Sequence, residues 1–275
     1  MITASLVLFQ NPPELFGPAM QSFLDGVADG LLIVSDNSPT PLQHPLFAHD
    51  RVRYVHNGCN LGFGKAHNRA ISLIPEGSEF HLLLNPDIRF DANVLPQLRA
   101  FMESDATIGV TMPRITYPDG ALQHLCKRLP TPVDLVFRRF IPSKRIRNWI
   151  NSRYELHGLT QDQPSSVPNL SGCFLLVRSR LLKELGGFDE RYFMYLEDID
   201  LVRRIGDQAK TIYFPTVSVV HEYAKGSYVN KKLLGYHISS ALKYFTKWGW
   251  WFDRVRYVRN DKVAKLISSR GLNDY

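Results

Sequence analysis

An α/β fold built on a mostly parallel sheet is the class this 275-residue sequence predicts, and three observations predict it. Short apolar runs alternate with helix-periodic segments from the N-terminus onward. Turn residues, glycine among them, bound the runs. Polar clusters follow three of those runs, where open α/β sheets hold their ligands.

Residues 4–9 and 31–35 read as buried strands, being apolar and strand-length. Between them, residues 14–27 carry Leu15, Ala19, Phe23 and Val27 at helical spacing. A third strand is expected at 52–55. A glycine-bearing turn then leads into a helix over 65–74, with Ala66, Ala70 and Leu73 on one side. Strands follow at 80–84 and 108–112. After Pro113 the periodicity is lost, and 116–168 reads as an irregular, basic insertion rich in Pro and Arg. Order returns with a strand at 173–177, a helix near 198–205 and a strand near 211–220. The expected organisation is one α/β domain over 1–226 and a basic extension over 227–275.

Composition excludes several classes. At 44% hydrophobic and 21% charged the chain is neither disordered nor a rod. No uncharged apolar run reaches the roughly 18 residues of a membrane span, and the N-terminus lacks a basic lead-in, so no signal peptide is expected. Cys59, Cys126 and Cys173 are odd in number and far apart, which fits a reducing cytosol better than a disulfide framework. The net charge of +7 is uneven: 127–153 carries a local +7 and 225–275 a local +8, leaving a body of −8. That distribution points to one basic face turned toward something negative.

Four clusters have the composition of a site. Asn60-Leu-Gly62-Phe-Gly64-Lys-Ala-His67-Asn68 puts two glycines at a strand-to-helix turn, where backbone N–H groups meet anions. It lacks the third glycine of a dinucleotide fingerprint and the Gly-Lys-Ser/Thr of a P-loop; an ordinary glycine turn explains it equally. Asn85-Pro86-Asp87 ends an apolar strand with a carboxylate suited to Mg²⁺ or Mn²⁺, and reads as readily as an Asx-Pro turn. Glu197, Asp198 and Asp200 open a predicted helix behind the aromatic lead-in Tyr192-Phe-Met-Tyr195-Leu. Acids there complement the helix dipole or, partly buried, serve as a general base. His221 ends the late strand, as a structural imidazole or a metal ligand.

In their order, Asp36-Asn37, Asn60-x-Gly-Phe-Gly…Asn68, Leu-Asn85-Pro-Asp87, Ser171-Gly172-Cys173-Phe-Leu-Leu-Val-Arg178, Gly-Gly-Phe-Asp-Glu…Glu197-Asp198-x-Asp200-Leu and His221 resemble the family 2 inverting glycosyltransferases of the GT-A fold. Within these the likeness is to the bacterial rhamnosyltransferase branch and covers about residues 3–226. The resemblance implies that Phe9 and Asp36 hold the nucleotide base, and that Asn60, Gly62, Gly64 and Asn68 help bind the nucleotide. Many relatives carry Arg where His67 stands. It further implies that Asp87, with Asn85 as a weak partner, and His221 hold a divalent Mg²⁺ or Mn²⁺ at the diphosphate. Gly172 and Cys173 then face donor sugar and acceptor, Asp198 is the catalytic base, and Glu197 supports acceptor hydroxyls.

The implied reaction moves L-rhamnose from dTDP-β-L-rhamnose onto a saccharide acceptor, expected to be lipid-linked, in bacterial cell-surface polysaccharide or lipopolysaccharide synthesis. Direct displacement needs one base and a cation, and no nucleophilic Ser/His/Asp or Cys/His set is evident. The alternatives are a UDP-sugar donor of the galactose or N-acetylglucosamine type, a non-catalytic scaffold, and a nucleic-acid-binding protein. The acidic body counts against nucleic acid, which is not an expected partner. In the tail, Leu234, Ile238, Ala241, Phe245 and Trp248 share one helix face, and Lys232, Lys243 and Lys247 the other. That face either lies on an anionic membrane or covers the domain. The first option gives a cytoplasmic protein peripheral to the inner membrane.

Overall fold

The structure, a computed structural model, describes residues 1–135, 141–222 and 231–271. Parts of both basic segments, including Arg138, Arg139 and Lys225, therefore lie outside the described residues. The strands are β1 (Ile2–Leu8), β2 (Leu31–Asp36), β3 (Val52–His56), β4 (Phe80–Leu84), β5 (Ile88–Arg89), β6 (Ile108–Thr116), β7 (Cys126–Lys127), β8 (Ser165–Ser166), β9 (Asn169–Leu170), β10 (Phe174–Arg178) and β11 (Lys210–His221). The helices are α1 (Pro13–Gly26), α2 (Phe63–Ile71), α3 (Val94–Ser104), α4 (Pro132–Leu135), α5 (Lys144–Tyr154), α6 (Ser179–Glu184), α7 (Glu197–Ile205), α8 (Lys231–Trp248) and α9 (Arg254–Gly271).

The central sheet runs β3-β2-β1-β4-β10-β6-β11-β5, with β8 on β11, and β7 pairs β9 in a small second sheet. Parallel pairing is concentrated in β3-β2-β1-β4 and in β6-β11. β10 enters antiparallel between β4 and β6. Register brings the functional segments to one edge. Leu8 pairs with Asp36, Leu84 with Phe174, and His221 with Ile88. The C-terminal ends of β1, β2 and β4 therefore lie beside the start of β10, and β11 delivers His221 next to the residue following Asp87. The strand order reverses at β1/β4, the position of a ligand crevice in such sheets.

β1 and β4 are buried almost throughout, which their apolar runs predict, and α1, α3 and α6 add Phe16, Phe23, Leu98 and Leu182 to the same core. The predicted strands and helices are present within a few residues. Two features differ from expectation. α3 was not evident because Pro96 stands in its first turn, a place where proline is tolerated. The insertion is also less irregular than its composition implies: α5 is a regular helix, capped by the Ser143 side chain accepting from Ile146 N–H. Four basic residues in α5 dilute the apolar period that would have marked it.

The extension folds back onto the domain. Ala241, Tyr244 and Phe245 of α8 are buried in a second apolar cluster with Leu129, Tyr154, Tyr192, Leu196 and Ile199. Among the described residues no helix is long and apolar enough to cross a membrane.

Candidate active site

A cleft of about 920 Å³ opens at the sheet edge, lined by Asn85, Gly172, Cys173, Glu197, Asp198 and His221 among others. Six residues singled out in the sequence thus share one cavity. Asp87 adjoins it, its Oδ2 lying 3.3 Å from His221 Nε2.

The acid-bearing wall is built by an uncommon turn. Tyr195 and Leu196 both have left-handed backbone angles, φ 69° and 65°. Such conformations cost about 1–3 kcal/mol each and persist where packing enforces them. Leu196 is buried in the second cluster, which anchors the turn. The chain then enters α7 with Glu197 and Asp198 aimed at the cleft.

Asp198 is held from two sides. Its Oδ2 accepts from the Gly172 backbone N–H at 2.9 Å and its Oδ1 from the Ile199 N–H at 2.8 Å. Gly172 has to be glycine, because a Cβ there would sit 2.7 Å from Asp198 Cβ. Glu197 is only 5% exposed, and its Oε2 has no hydrogen-bond partner. Burial, reinforced by the neighbouring Asp198 charge, pushes the Glu197 carboxyl well above the ordinary carboxylate range. The two acids are thus differentiated: burial favours the protonated form of Glu197, whereas Asp198 accepts from two backbone donors.

On the opposite side, Asn85 Oδ1 and Asp87 Oδ1 are buried without hydrogen-bond partners. His221 Nδ1 bonds Gln123 Oε1 at 2.9 Å, and the Gln123 amide donates to the His221 carbonyl at 2.9 Å. Gln123 therefore fixes the imidazole with Nε2 toward Asp87. Nothing in the sequence singles out Gln123 among the amides of the insertion. The same holds for His124, Lys127, Glu155 and His157, which form the far wall of the cleft. The His124 and His157 rings stack at 3.8 Å.

Other expected residues lie elsewhere. Phe9, 44% exposed, and Asp36 sit at the ends of β1 and β2, beyond the cleft lining. Asp36 is fully buried and accepts from the Ser38 and Leu42 N–H groups and from the Tyr54 hydroxyl. Burial raises its pKa, but these bonds outweigh it and hold the carboxyl below its usual value. Its observed work is to shape the 37–42 loop. Asn60 caps the glycine turn by accepting from Gly62 N–H. Gly62 has φ 82°, and a Cβ there would meet the Phe193 carbonyl oxygen at 2.3 Å. Asn68 accepts from Phe188 N–H and donates to the Phe188 carbonyl. Gly62, Gly64 and Asn68 thus clamp α2 to the segment preceding α7, and that clamp positions the acids.

His67 points into the core. It bonds Ser5 Oγ at 2.7 Å, and His81 bonds Ser5 Oγ and Thr3 Oγ1. Burial lowers both imidazoles to about 3. Neither cysteine near the cleft is a nucleophile, since burial pushes the Cys173 thiol up to about 12 and Cys126 higher still.

The description Glycosyl transferase family 2 matches residues 26–186, more than half of the chain. The chain belongs to glycosyl transferase family 2. This glycosyltransferase is 27% identical over 270 residues to the N-acetylglucosaminyl-diphospho-decaprenol L-rhamnosyltransferase of Mycobacterium tuberculosis (strain ATCC 25618 / H37Rv), covering 90% of this chain and 87% of the relative. It is 25% identical to the rhamnosyltransferase WbbL of Escherichia coli (strain K12), over 86% of this chain and 88% of that one. Among solved structures it is similar to the mannosyltransferase PcManGT from Pyrobaculum calidifontis in complex with GDP-Man and Mn²⁺. There the TM-score is 0.55 at 15% identity, over 88% of this chain and 64% of that chain. Staphylococcus aureus TarS 1–349 in complex with UDP-GlcNAc gives 0.55 at 15%, over 82% and 60%. The chain thus spans less than two thirds of these solved chains, and the likeness to them concerns the fold, which is GT-A.

Proposed function

We propose that this glycosyltransferase moves L-rhamnose from dTDP-β-L-rhamnose to a lipid-linked saccharide, with inversion and with Asp198 as the base. The observation that carries the mechanism is Asp198 held in the cleft by Gly172 N–H, across from the Asn85, Asp87 and His221 side. The acceptor hydroxyl oxygen attacks the anomeric carbon, and its proton passes to Asp198. The bond from that carbon to the diphosphate oxygen breaks on the opposite face, and the nucleoside diphosphate departs. Glu197, neutral beside Asp198, can donate a hydrogen bond to a sugar hydroxyl. Phe9 offers an exposed ring to the base, and Asp36 orders the loop beside it.

The leaving charge calls for a cation. Among the described residues no group of three His, Cys, Asp or Glu side chains is arranged to hold one. The unpartnered oxygens of Asn85 and Asp87 with His221 nonetheless suit Mg²⁺ or Mn²⁺, which take oxygen ligands and fill their remaining positions from substrate phosphates. Bound there, such an ion would stabilise the developing diphosphate charge.

The rhamnosyl group is proposed from both relatives, which are named rhamnosyltransferases, and the diphospholipid acceptor from the mycobacterial one, whose name alone carries it. An acceptor of that kind implies work at the cytoplasmic face of a membrane, in assembly of cell-surface polysaccharide. Thermal unfolding with dTDP, UDP and GDP, each with and without Mn²⁺, tests the donor. A metal-dependent shift with dTDP above the others is expected, since ligand at 100 times its Kd stabilises by about 2.7 kcal/mol. A preference for UDP would keep the reaction class and remove rhamnose.

A further inference from the structure

The two basic segments of the sequence meet in space. Arg128 and Arg153 from the first, and Trp250, Trp251 and Tyr257 from the second, line one groove of about 500 Å³. The acids of this groove are already engaged: Asp253 binds Arg203, and Asp261 binds Lys265. Arg256 is engaged too, donating to the carbonyls of Pro130, Gly249 and Trp250. Arg128 and Arg153 differ. Among the described residues neither has a carboxylate within 4.0 Å, and Arg128 Nε is buried with no hydrogen-bond partner. Burial and the nearby Arg153 charge lower the Arg128 pKa, so the pair would gain from an anion between them.

The rim of this groove is apolar and points outward. At the corner between α8 and α9, Trp251 is exposed and Phe252 is 97% exposed. Val255 and Val258 of α9 are exposed as well. The Arg153 guanidinium lies 4.6 Å over the ring of Trp149, itself exposed on α5. A second recess of about 580 Å³ shares Arg128 and Arg153 with the groove and extends to His157, which lines the catalytic cleft. The groove, the recess and the cleft thus adjoin one another through shared lining residues.

We propose that this face docks on an anionic phospholipid bilayer, with Trp251 and Phe252 entering the interfacial zone and Arg128 and Arg153 seating a lipid phosphate. Aromatic side chains at the headgroup level beside cationic ones are what such a surface binds. The assignment replaces the α8 face singled out in the sequence. That face is buried on the domain at Ala241 and Phe245, leaving only Ile238 of the five exposed, and Lys243 and Lys247 are tied to the Arg191 carbonyl and to Asp189 and Asp200. The proposal deepens the reading of a lipid-linked acceptor, because the corner would hold the cleft close to the plane in which that acceptor lies.

Flotation of the full chain with phosphatidylcholine vesicles, with and without phosphatidylglycerol, tests it. Binding is expected only with phosphatidylglycerol, accompanied by a blue shift of tryptophan emission. The Trp251→Ser/Phe252→Ser double variant should lose it. Arg128→Gln and Arg153→Gln should each weaken it about fivefold, the attraction of one basic side chain at an anionic surface. Arg180→Gln, on α6 and outside the groove, should bind as the parent does. Because Phe252 is almost fully exposed, Phe252→Ser alone keeps the test valid if Arg128→Gln melts early. Equal flotation with both vesicle types, or undiminished binding by the double variant, would overturn the proposal. So would inorganic phosphate binding at Arg128 in a protein that floats with neither vesicle. None of these results touches the nucleotide shifts, so the two readings fail separately.

Discussion

Helix α7 carries acids to two regions that treat charge in opposite ways. At its N-terminus Glu197 and Asp198 face the cleft, where Glu197 Oε2, Asp87 Oδ1 and Asn85 Oδ1 are buried without hydrogen-bond partners. Along its other side the charged groups are paired, although Arg203 Nε and the Tyr192 hydroxyl are buried without partners. Asp200, fully buried, binds Arg204 at 2.8 Å, Lys247 at 2.6 Å and the Trp248 indole at 2.8 Å. Arg203, also buried, makes a bidentate pair with Asp253 at 2.7 and 2.8 Å and lies 4.1 Å under the Trp248 ring. An unpaired buried oxygen costs stability; several stand elsewhere in the fold, but those of Asn85, Asp87 and Glu197 gather at the cleft, where a ligand could satisfy them. A paired buried charge holds elements together. On the proposed function, the same four-residue acidic run divides into chemistry and docking.

The sharpest way to break this division is to neutralise one acid on each side. Asp198→Asn should lower transfer about 10³-fold, the weight of a general base, with an unchanged melting temperature. Full turnover in that variant would dissolve the distinction. Asp253→Ala should do the reverse. It strands Arg203 in the seam between α7 and α8, and breaking such a pair costs about 3–5 kcal/mol. Denaturant unfolding should record that loss, while turnover per folded molecule stays near the parent's. Gly172→Ala probes the coupling between β10 and α7. Its Cβ would press on Asp198, and a misplaced base costs roughly 10²-fold in rate. Glu197→Gln should have the smallest effect, within about tenfold, since it copies the protonated acid that burial favours.

Acid unfolding sharpens the comparison from a third place. His67 and His81 are held neutral in the core, with pKa values lowered to about 3. The unfolded chain protonates them near pH 6.5, so it binds more protons than the folded one below that pH. Their contribution is complete above pH 6.5 and is lost as pH falls toward 3, at up to about 2.7 kcal/mol per pH unit for two protons. His67→Gln/His81→Gln should flatten that slope.

Much of this architecture was legible in the sequence because its signals are local. Short apolar runs such as Leu82–Leu84 and Phe174–Val177 have core-strand length, and polar residues just beyond them fall at the ligand edge of the sheet. Asp198 and His221 were recognisable by position and type. Gln123 was not, since its role depends on an insertion crossing to β11, nearly a hundred residues away. Lys247 misled for a related reason. Helical periodicity put it on a solvated face, but Asp189 and Asp200 come from the domain and reach it there. The glycine turn read equally as an anion site and as an ordinary turn, and its contacts through Gly62 and Asn68 with residues 193 and 188 are ones no local pattern reveals.

The central claim is that Asp87, with its unpartnered oxygen at the cleft, serves the diphosphate, and that Asp198 takes the proton. Titration calorimetry of dTDP, with and without Mn²⁺, into the parent, Asp87→Ala and Asp198→Asn tests it most directly. Metal-dependent binding in the parent, its loss in Asp87→Ala and its retention in Asp198→Asn are the expected results. Equal affinity in all three proteins, indifferent to Mn²⁺, would contradict the account.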